Sequence, residues 1–264
     1  MAQPMRVLQQ QQLPPEAEQL AGAYQLGTAQ TAYRVRVKKA AMIVWIVLGV
    51  ILGGIFILAA FSSSDNLSGM VVFLLVGLLF LGGAFYFAFL PVIYRSWHVY
   101  TCTDGFVSVR GSKVEAFRWD QIEAMWHAVT RHSTYGVYTG TRHRYTVRRK
   151  DGVQVVLNDH LADVETLGNT ISRALTDCLL PQVISAYNAG STITFGPLSI
   201  SLQGVSNGRE LLPWSQMKEL RLNRGFVTVR KEGKWLTWSS IRVANVPNIF
   251  VFMALVDYVL KGQK

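Results

Sequence analysis

Two stretches of the chain, residues 40–61 (AAMIVWIVLGVILGGIFILAAF) and 70–93 (MVVFLLVGLLFLGGAFYFAFLPVI), run without a charged side chain. Each exceeds the roughly 20 residues that cross a bilayer core of about 30 Å. Neither keeps the polar face that a buried helix of a soluble protein usually shows. They predict two transmembrane helices. Between them, SSSDNLSG at 62–69 supplies turn formers and no Lys or Arg, so a tight helical hairpin is expected over 34–95.

From Trp97 the pattern changes to short alternating runs broken by turn signals. HVYTCT, FVSVR and KVEAFRW are separated by Asp104-Gly105 and Gly111-Ser112, and RYTVRR and VQVVLN flank Lys150-Asp151-Gly152. Alternation bounded by Asp-Gly is a hairpin signal. Leu161, Val164, Leu167, Ile171, Leu175 and Leu179 then recur at three- and four-residue steps, one apolar helix face behind an Asn158 or Asp159 cap. Pro181 is expected to end or kink that helix and Gly190 to close the unit. The same order follows again. STITF, LSISLQ, RELLPW, MKELRL, FVTVRK and KWLTW read as strands, and Pro247 stands near the first turn of a helix, NIFVFMALVDYVL. Residues 1–33, with a Gln run at 9–12 and Pro14-Pro15, read as a disordered or loosely ordered tail.

Within these two strand-rich units, 97–190 and 191–264, short segments recur. FRWDQIEAMW at 117–126 is echoed by LPWSQMKELR at 212–221, and TVRRKDG at 146–152 by TVRKEG at 228–233. Two matches in one order point to an internal duplication into two domains. In each, the strand delivers a Trp inward, and the x-Gln-x-x that follows breaks the period-two alternation. The chain should bend there and resume with Ile122 and Met125, or Met217 and Leu220, in the core. Trp119 and Trp214 are therefore expected to be architectural residues.

A helical hairpin followed by such units resembles the bacterial membrane proteins with pleckstrin-homology-like (PH-like) domains. YTCTDGFVSVRGSKVEAFRWDQIEAMW at 100–126 is similar to the opening strands of an uncharacterised family of that group, and the resemblance covers roughly 40–264. It implies a membrane protein of α+β class: the transmembrane hairpin, then two curled antiparallel sheets, each with a C-terminal helix. PH-like folds bind phosphoinositides, peptides or each other, so the resemblance implies no particular ligand.

Charge locates the candidate surface. The chain carries a net charge of +10, and residues 95–264 hold 21 Lys plus Arg against 13 Asp plus Glu. Arg34, Arg36, Lys38 and Lys39 precede the first span, Arg95 follows the second, and Asp65 lies between them. The positive-inside rule then puts both termini in the cytoplasm, and with the resemblance this implies a multi-pass protein of the inner cell membrane. Trp45, Tyr94 and Trp97 fall near the expected interfaces. On the reducing side, Cys102 and Cys178 are expected as free thiols. From Ala124 to Lys150 there is no acid, while Arg131, Arg142, Arg144, Arg148, Arg149 and Lys150 accumulate among Tyr135, Tyr138 and Tyr145. A milder cluster joins Lys218, Arg221, Arg224, Arg230, Lys231 and Lys234, diluted by Glu219 and Glu232. Such basic strands suit anionic head groups or an acidic protein partner, although a solvated face under the positive-inside bias has the same appearance.

Catalytic and metal signatures are missing from the pattern. None of the five His lies in HExxH; His132 and His143 can meet across a long hairpin, but zinc prefers four N or S ligands. There is no GxSxG, phosphate-binding loop or dinucleotide fingerprint, and no nucleic-acid motif accompanies the basic charge. Gly49-x-x-x-Gly53 and Ala84-x-x-x-Ala88 allow close helix packing, within the hairpin or between protomers of a homo-oligomer. The expectation is a non-enzymatic, membrane-anchored binding or scaffolding protein, without cofactor, metal or nucleic-acid partner, docking on the lipid bilayer or an acidic partner. A self-assembling structural module, or an accessory subunit of a membrane complex, is the alternative.

Overall fold

The computed structural model describes residues 13–35, 39–62, 67–94, 97–134, 137–223 and 225–262. The class is α+β. Two long apolar helices, α2 (Lys39–Ser62) and α3 (Leu67–Tyr94), are followed by a series of antiparallel sheets. Both helices are long and apolar enough to cross a membrane. They outrun the expected spans, and Leu67–Gly69, expected in the connecting turn, are already helical; residues 63–66 lie outside the described residues. Outward they present Leu58, Phe61, Leu75, Leu79 and Phe85, all well exposed. Inward the small residues meet. A Cβ on Gly49 would touch Ala84 at 3.0 Å, and one on Gly77 would lie 3.1 Å from the Gly53 carbonyl. Glycine is thus what lets these backbones approach, and the Gly49–Gly53 face is used within the hairpin.

The tail expected over residues 1–33 is, from residue 13, part of the fold. Pro15–Ala23 form a helix, α1, and Ala29–Arg34 a strand, β1. Ala17 and Leu26 are fully buried. The Leu26 and Thr28 carbonyls accept from Asp104 N and Thr103 N at 3.0 and 3.2 Å, and Thr101 Oγ1 donates to the Thr31 carbonyl at 3.2 Å. A weakly apolar segment is ordered by long-range backbone pairing rather than by its own pattern. Residues 1–12 lie outside the described residues.

That strand opens a four-stranded sheet with β2 (Trp97–Cys102), β3 (Gly105–Arg110) and β4 (Lys113–Arg118), in the order β1-β2-β3-β4. The helical hairpin is therefore inserted in the chain between the first and second strands of one sheet. A one-turn 3-10 helix, Trp119–Gln121, leads into β5 (Ile122–Thr134), β6 (Val137–Arg149) and β7 (Gln154–Asn158), a second antiparallel sheet, and then α4 (Val164–Asn188). The second half has the same element order. It comprises β8 (Ile193–Phe195), β9 (Leu198–Ser201), β10 (Gly204–Ser206) and β11 (Leu211–Pro213), a 3-10 turn at Trp214–Gln216, then β12 (Met217–Asn223), β13 (Phe226–Lys231), β14 (Thr237–Arg242) and α5 (Ile249–Gly262).

The two Trp turns are built alike. Trp119 donates its indole N–H to the Thr103 carbonyl at 2.9 Å and its backbone N–H to Asp104 O at 3.0 Å. Trp214 donates the corresponding pair to Ser201 O at 3.0 Å and Gln203 O at 3.4 Å. The following Gln carbonyls accept from Lys150 N (2.9 Å) and Glu232 N (2.8 Å). Register shifts then fall at Ile122/Ala124 and Met217/Glu219, the corresponding places. Each Trp is buried and fixes the bend at which one sheet hands over to the next.

Helix α4 does not end at Pro181. It continues to Asn188, because the loss of one backbone donor is offset by the packing of Leu179, Leu180, Val183, Ile184 and Tyr187 on the core of the second half. Its first turns bury Val164, Leu167, Ile171 and Leu175 as expected, with Asp163 in the left-handed region and without a side-chain capping bond. The units 97–190 and 191–264 consequently share a core. By contact the described chain divides elsewhere, into one body up to Tyr33 with Val99–Ser108 and everything from Val114, and another of Arg34–His98 with Val109–Lys113.

Asn248 joins the two halves. Held at φ 51° just ahead of α5, it donates its backbone N–H to Met125 O (2.9 Å) and its side-chain amide to Glu123 O (2.9 Å), and accepts from Met125 N (2.8 Å). One side chain thus pairs the free edge of β5 as another strand would. Pro247, expected near the first helical turn, precedes this residue and stands two positions ahead of the helix.

Candidate basic surface

The 13-residue strands β5 and β6 pair so that Thr130, Ala128, Trp126 and Ala124 stand opposite Arg142, Arg144, Thr146 and Arg148. Side chains alternate across a strand. The even-numbered set therefore shares one face of the sheet, and Met125, His127, Tyr145 and Val147 line the other, where Tyr145 and Val147 are fully buried. Arg142 and Arg144 are exposed, with no ion pair among the described residues. Beside them lies an open depression of about 460 Å3 formed by Trp126, Ala128, Arg144, Thr146, Arg148, Gln154 and Ala244.

The remaining members of the basic run are not equivalent. Arg148 grips Glu123 with two bonds, Nε at 2.9 Å and Nη2 at 2.8 Å, and stacks over Trp126 at 4.9 Å. Arg149 points to the opposite side. Its guanidinium binds both oxygens of Asp151, Nη1 donates to Ala116 O at 2.7 Å, and Tyr24 and Phe117 lie beneath it. The hydrogen bond from Arg149 holds the Asp151 carboxyl below its usual range. Lys150 is exposed at the turn. Arg131 pairs through its backbone with Thr141, while its side chain, like Tyr135 and Tyr138, lies outside the described residues. The acid-free run is thus split by its flanking acids, leaving Arg142 and Arg144, among the described residues, as cations without an ion pair and Lys150 at one end. In the second cluster Glu219 holds Arg221 at 2.7 Å and Arg230 at 3.3 Å; Lys218 and Lys234 are exposed, and Arg224 lies outside the described residues.

His132 and His143, which could meet across a long hairpin, do not stand opposite one another in the strand register. His132 pairs with Gly140, and His143 stands opposite Val129 with its Nδ1 3.5 Å from His127 Nε2. His127 stacks on Tyr145 at 4.3 Å, and His143 Nε2 lies 3.8 Å from Glu165. Burial and the neighbouring His143 push the His127 pKa down to about 4, so it is neutral at physiological pH. Burial also pushes Tyr145 up to about 12, and its hydroxyl has no partner among the described residues. Its ring lies against Gly168 of α4, where a Cβ would overlap it. Among the described residues no group of three or more metal-ligating side chains converges. Burial raises the Cys102 thiol to about 11, which leaves it protonated and unreactive at neutral pH. Trp97, expected at an interface, is buried beneath the Arg110 guanidinium at 5.2 Å; Trp45 is exposed and stacks with Phe87.

These features define an α+β protein with a hairpin of membrane-spanning length inserted into a strand-rich body that presents a small basic face. The chain belongs to a family of unknown function (DUF6585), whose signature matches residues 1–264. No curated protein matches it, and no solved structure does.

Proposed function

We propose that the protein is an integral membrane protein whose two strand-rich halves are duplicated PH-like units, and that it acts as a non-enzymatic module docking on anionic head groups. The observation that carries this reading is the pair of exposed guanidiniums of Arg142 and Arg144, without an ion pair among the described residues, on a two-stranded hairpin beside the Trp126–Arg148 ledge. Arg offers a planar fork of donors suited to phosphate. Pairing of β1 with β2 supports one further element: it closes the chain across the helical hairpin, so both outer ends of the hairpin belong on one side of the membrane, the cytoplasmic side by the flanking charge. The repeated Trp turn, with its matching hydrogen bonds and register shifts, supports the duplication.

Self-assembly through the small-residue faces has less behind it, because Gly49, Gly53, Gly77 and Ala84 are occupied within the hairpin. The test uses the full chain in bilayers containing a photoactivatable anionic lipid. Cross-links on residues 137–149 are expected, to weaken as salt rises and to disappear in Arg142→Ser/Arg144→Ser. Cross-linking that the double variant leaves intact overturns the head-group assignment.

A further inference from the structure

The turn between β13 and β14 carries two large apolar side chains that no described residue covers. Trp235 is 100% exposed and Leu236 82% exposed. The alternation of KWLTW predicts a strand from Lys234, but β14 begins only at Thr237, which leaves Lys231-Glu232-Gly233-Lys234-Trp235-Leu236 as the connection between the paired Arg230 and Thr237. Lys234 N closes the turn on Lys231 O at 3.4 Å, and Gly233 takes the left-handed φ of 68°. Single exposed apolar residues are ordinary; an adjacent Trp and Leu at a convex tip call for a surface to meet.

The geometry points to that surface being the lipid bilayer: Trp235 and Leu236 form an apolar wedge that enters the membrane interface, with the Lys234 and Lys231 ammonium groups at anionic head groups. Three observations favour lipid over a protein partner. The chain already carries two helices of membrane-spanning length, and β2 begins three residues after α3 ends, so the tether keeps the turn at high local concentration beside a bilayer. A tip two residues wide suits insertion between head groups, whereas a protein hot spot is ringed by further packed side chains. The cations flanking it, against the one acid Glu232, match an anionic leaflet, and an indole is at home at that depth. This inference rests on the membrane-anchored reading above but not on the Arg142–Arg144 face.

The test is tryptophan quenching of the full chain in anionic bilayers, by lipids brominated near the head group and by aqueous iodide. The chain has seven Trp, so the Trp235 signal is the difference between wild type and Trp235→Phe. Quenching of that difference by bromolipid and protection from iodide are expected, and Lys231→Ser/Lys234→Ser should reduce the bromolipid effect. Quenching by iodide alone places Trp235 in water, and quenching by neither places it in a protein contact; either result overturns the inference. The difference between wild type and Trp45→Phe reports the hairpin independently. If Trp45 is quenched by bromolipid and Trp235 is not, only the wedge fails; if neither is, the membrane-anchored reading fails with it.

Discussion

The turn after β6 and the turn after β13 occupy the same place in the two halves and have opposite characters. In the first, Arg149 N donates to Val153 O, Gly152 N to Arg149 O, and Val153 N to Asp151 Oδ1, while the Arg149 guanidinium clamps Asp151 and the Ala116 carbonyl. In the second, Lys231 stands where Arg149 does and Glu232 where Lys150 does, each of the latter two donating its N–H to the Gln carbonyl of the Trp turn, and Trp235 and Leu236 project beyond them. The same backbone frame is used once to bury a guanidinium and once to display an indole. The difference teaches where selection for packing ends: residues at the Trp bend are dictated by the frame, and residues at the distal turns are free to meet something else.

The largest test of the shared frame is removal of the two indoles. Trp119→Ala and Trp214→Ala should each cost about 3–5 kcal/mol of stability, read as loss of hydrogen-exchange protection in the full chain. The milder Trp→Phe changes, which delete the N–H donor with part of the ring and leave Thr103 O or Ser201 O unpaired, should each cost less, about 1–3 kcal/mol. Similar costs at the two sites would sharpen the equivalence. A large loss at one and none at the other would break it.

Next comes the joint between the halves. Asn248→Ala removes two side-chain hydrogen bonds to the β5 edge and leaves Met125 N–H and the left-handed backbone without support, for about 2–4 kcal/mol. Exchange should rise first in β5 and α5. If α5 alone loosens while β5 keeps its protection, the two halves pack independently and the shared core described above is not cooperative.

These residues also show what could be read from the chain beforehand. The hairpin was legible because an uncharged run of bilayer length has few other uses, and the Trp bend because its seven-residue pattern, Trp119–Met125 and Trp214–Leu220, occurs twice. Strand β1 was not: AQTAYR buries only Tyr33, and its partners lie some 70 residues away, beyond the helices. The basic run was legible in sequence but not in charge, since Glu123 neutralises Arg148 from 25 residues away across the strand pair. Asp151, two residues after Arg149, was the one visible warning. Asn248 gave no signal at all, because a lone Asn before a helix reads as a cap and not as a substitute strand.

A smaller effect separates the halves by pH. Register places Leu222 and Val227 of the second half where the first has His127 and Tyr145. With its folded pKa lowered to about 4 from 6.5, His127 takes up a proton more readily in the unfolded chain. The stability linked to it is complete above about pH 6.5 and is lost as pH falls toward 4. His127→Phe should flatten that slope in β5 and β6 exchange, and the second half should show no matching slope between those pH values.

The smallest effect bears on the two turns themselves. Arg149→Ala strands the Ala116 carbonyl and uncovers Tyr24 and Phe117, so a loss of about 1–2 kcal/mol is expected even though the Asp151 ion pair, half open to water, adds little. Lys231→Ala, at the corresponding position, should cost less than about 0.5 kcal/mol, as surface substitutions usually do. If the two costs agree, Arg149 is only a surface cation and the first turn is as free as the second. If they differ as expected, the first turn is committed to the fold, and a binding role among the distal turns falls to the one whose side chains the fold does not use.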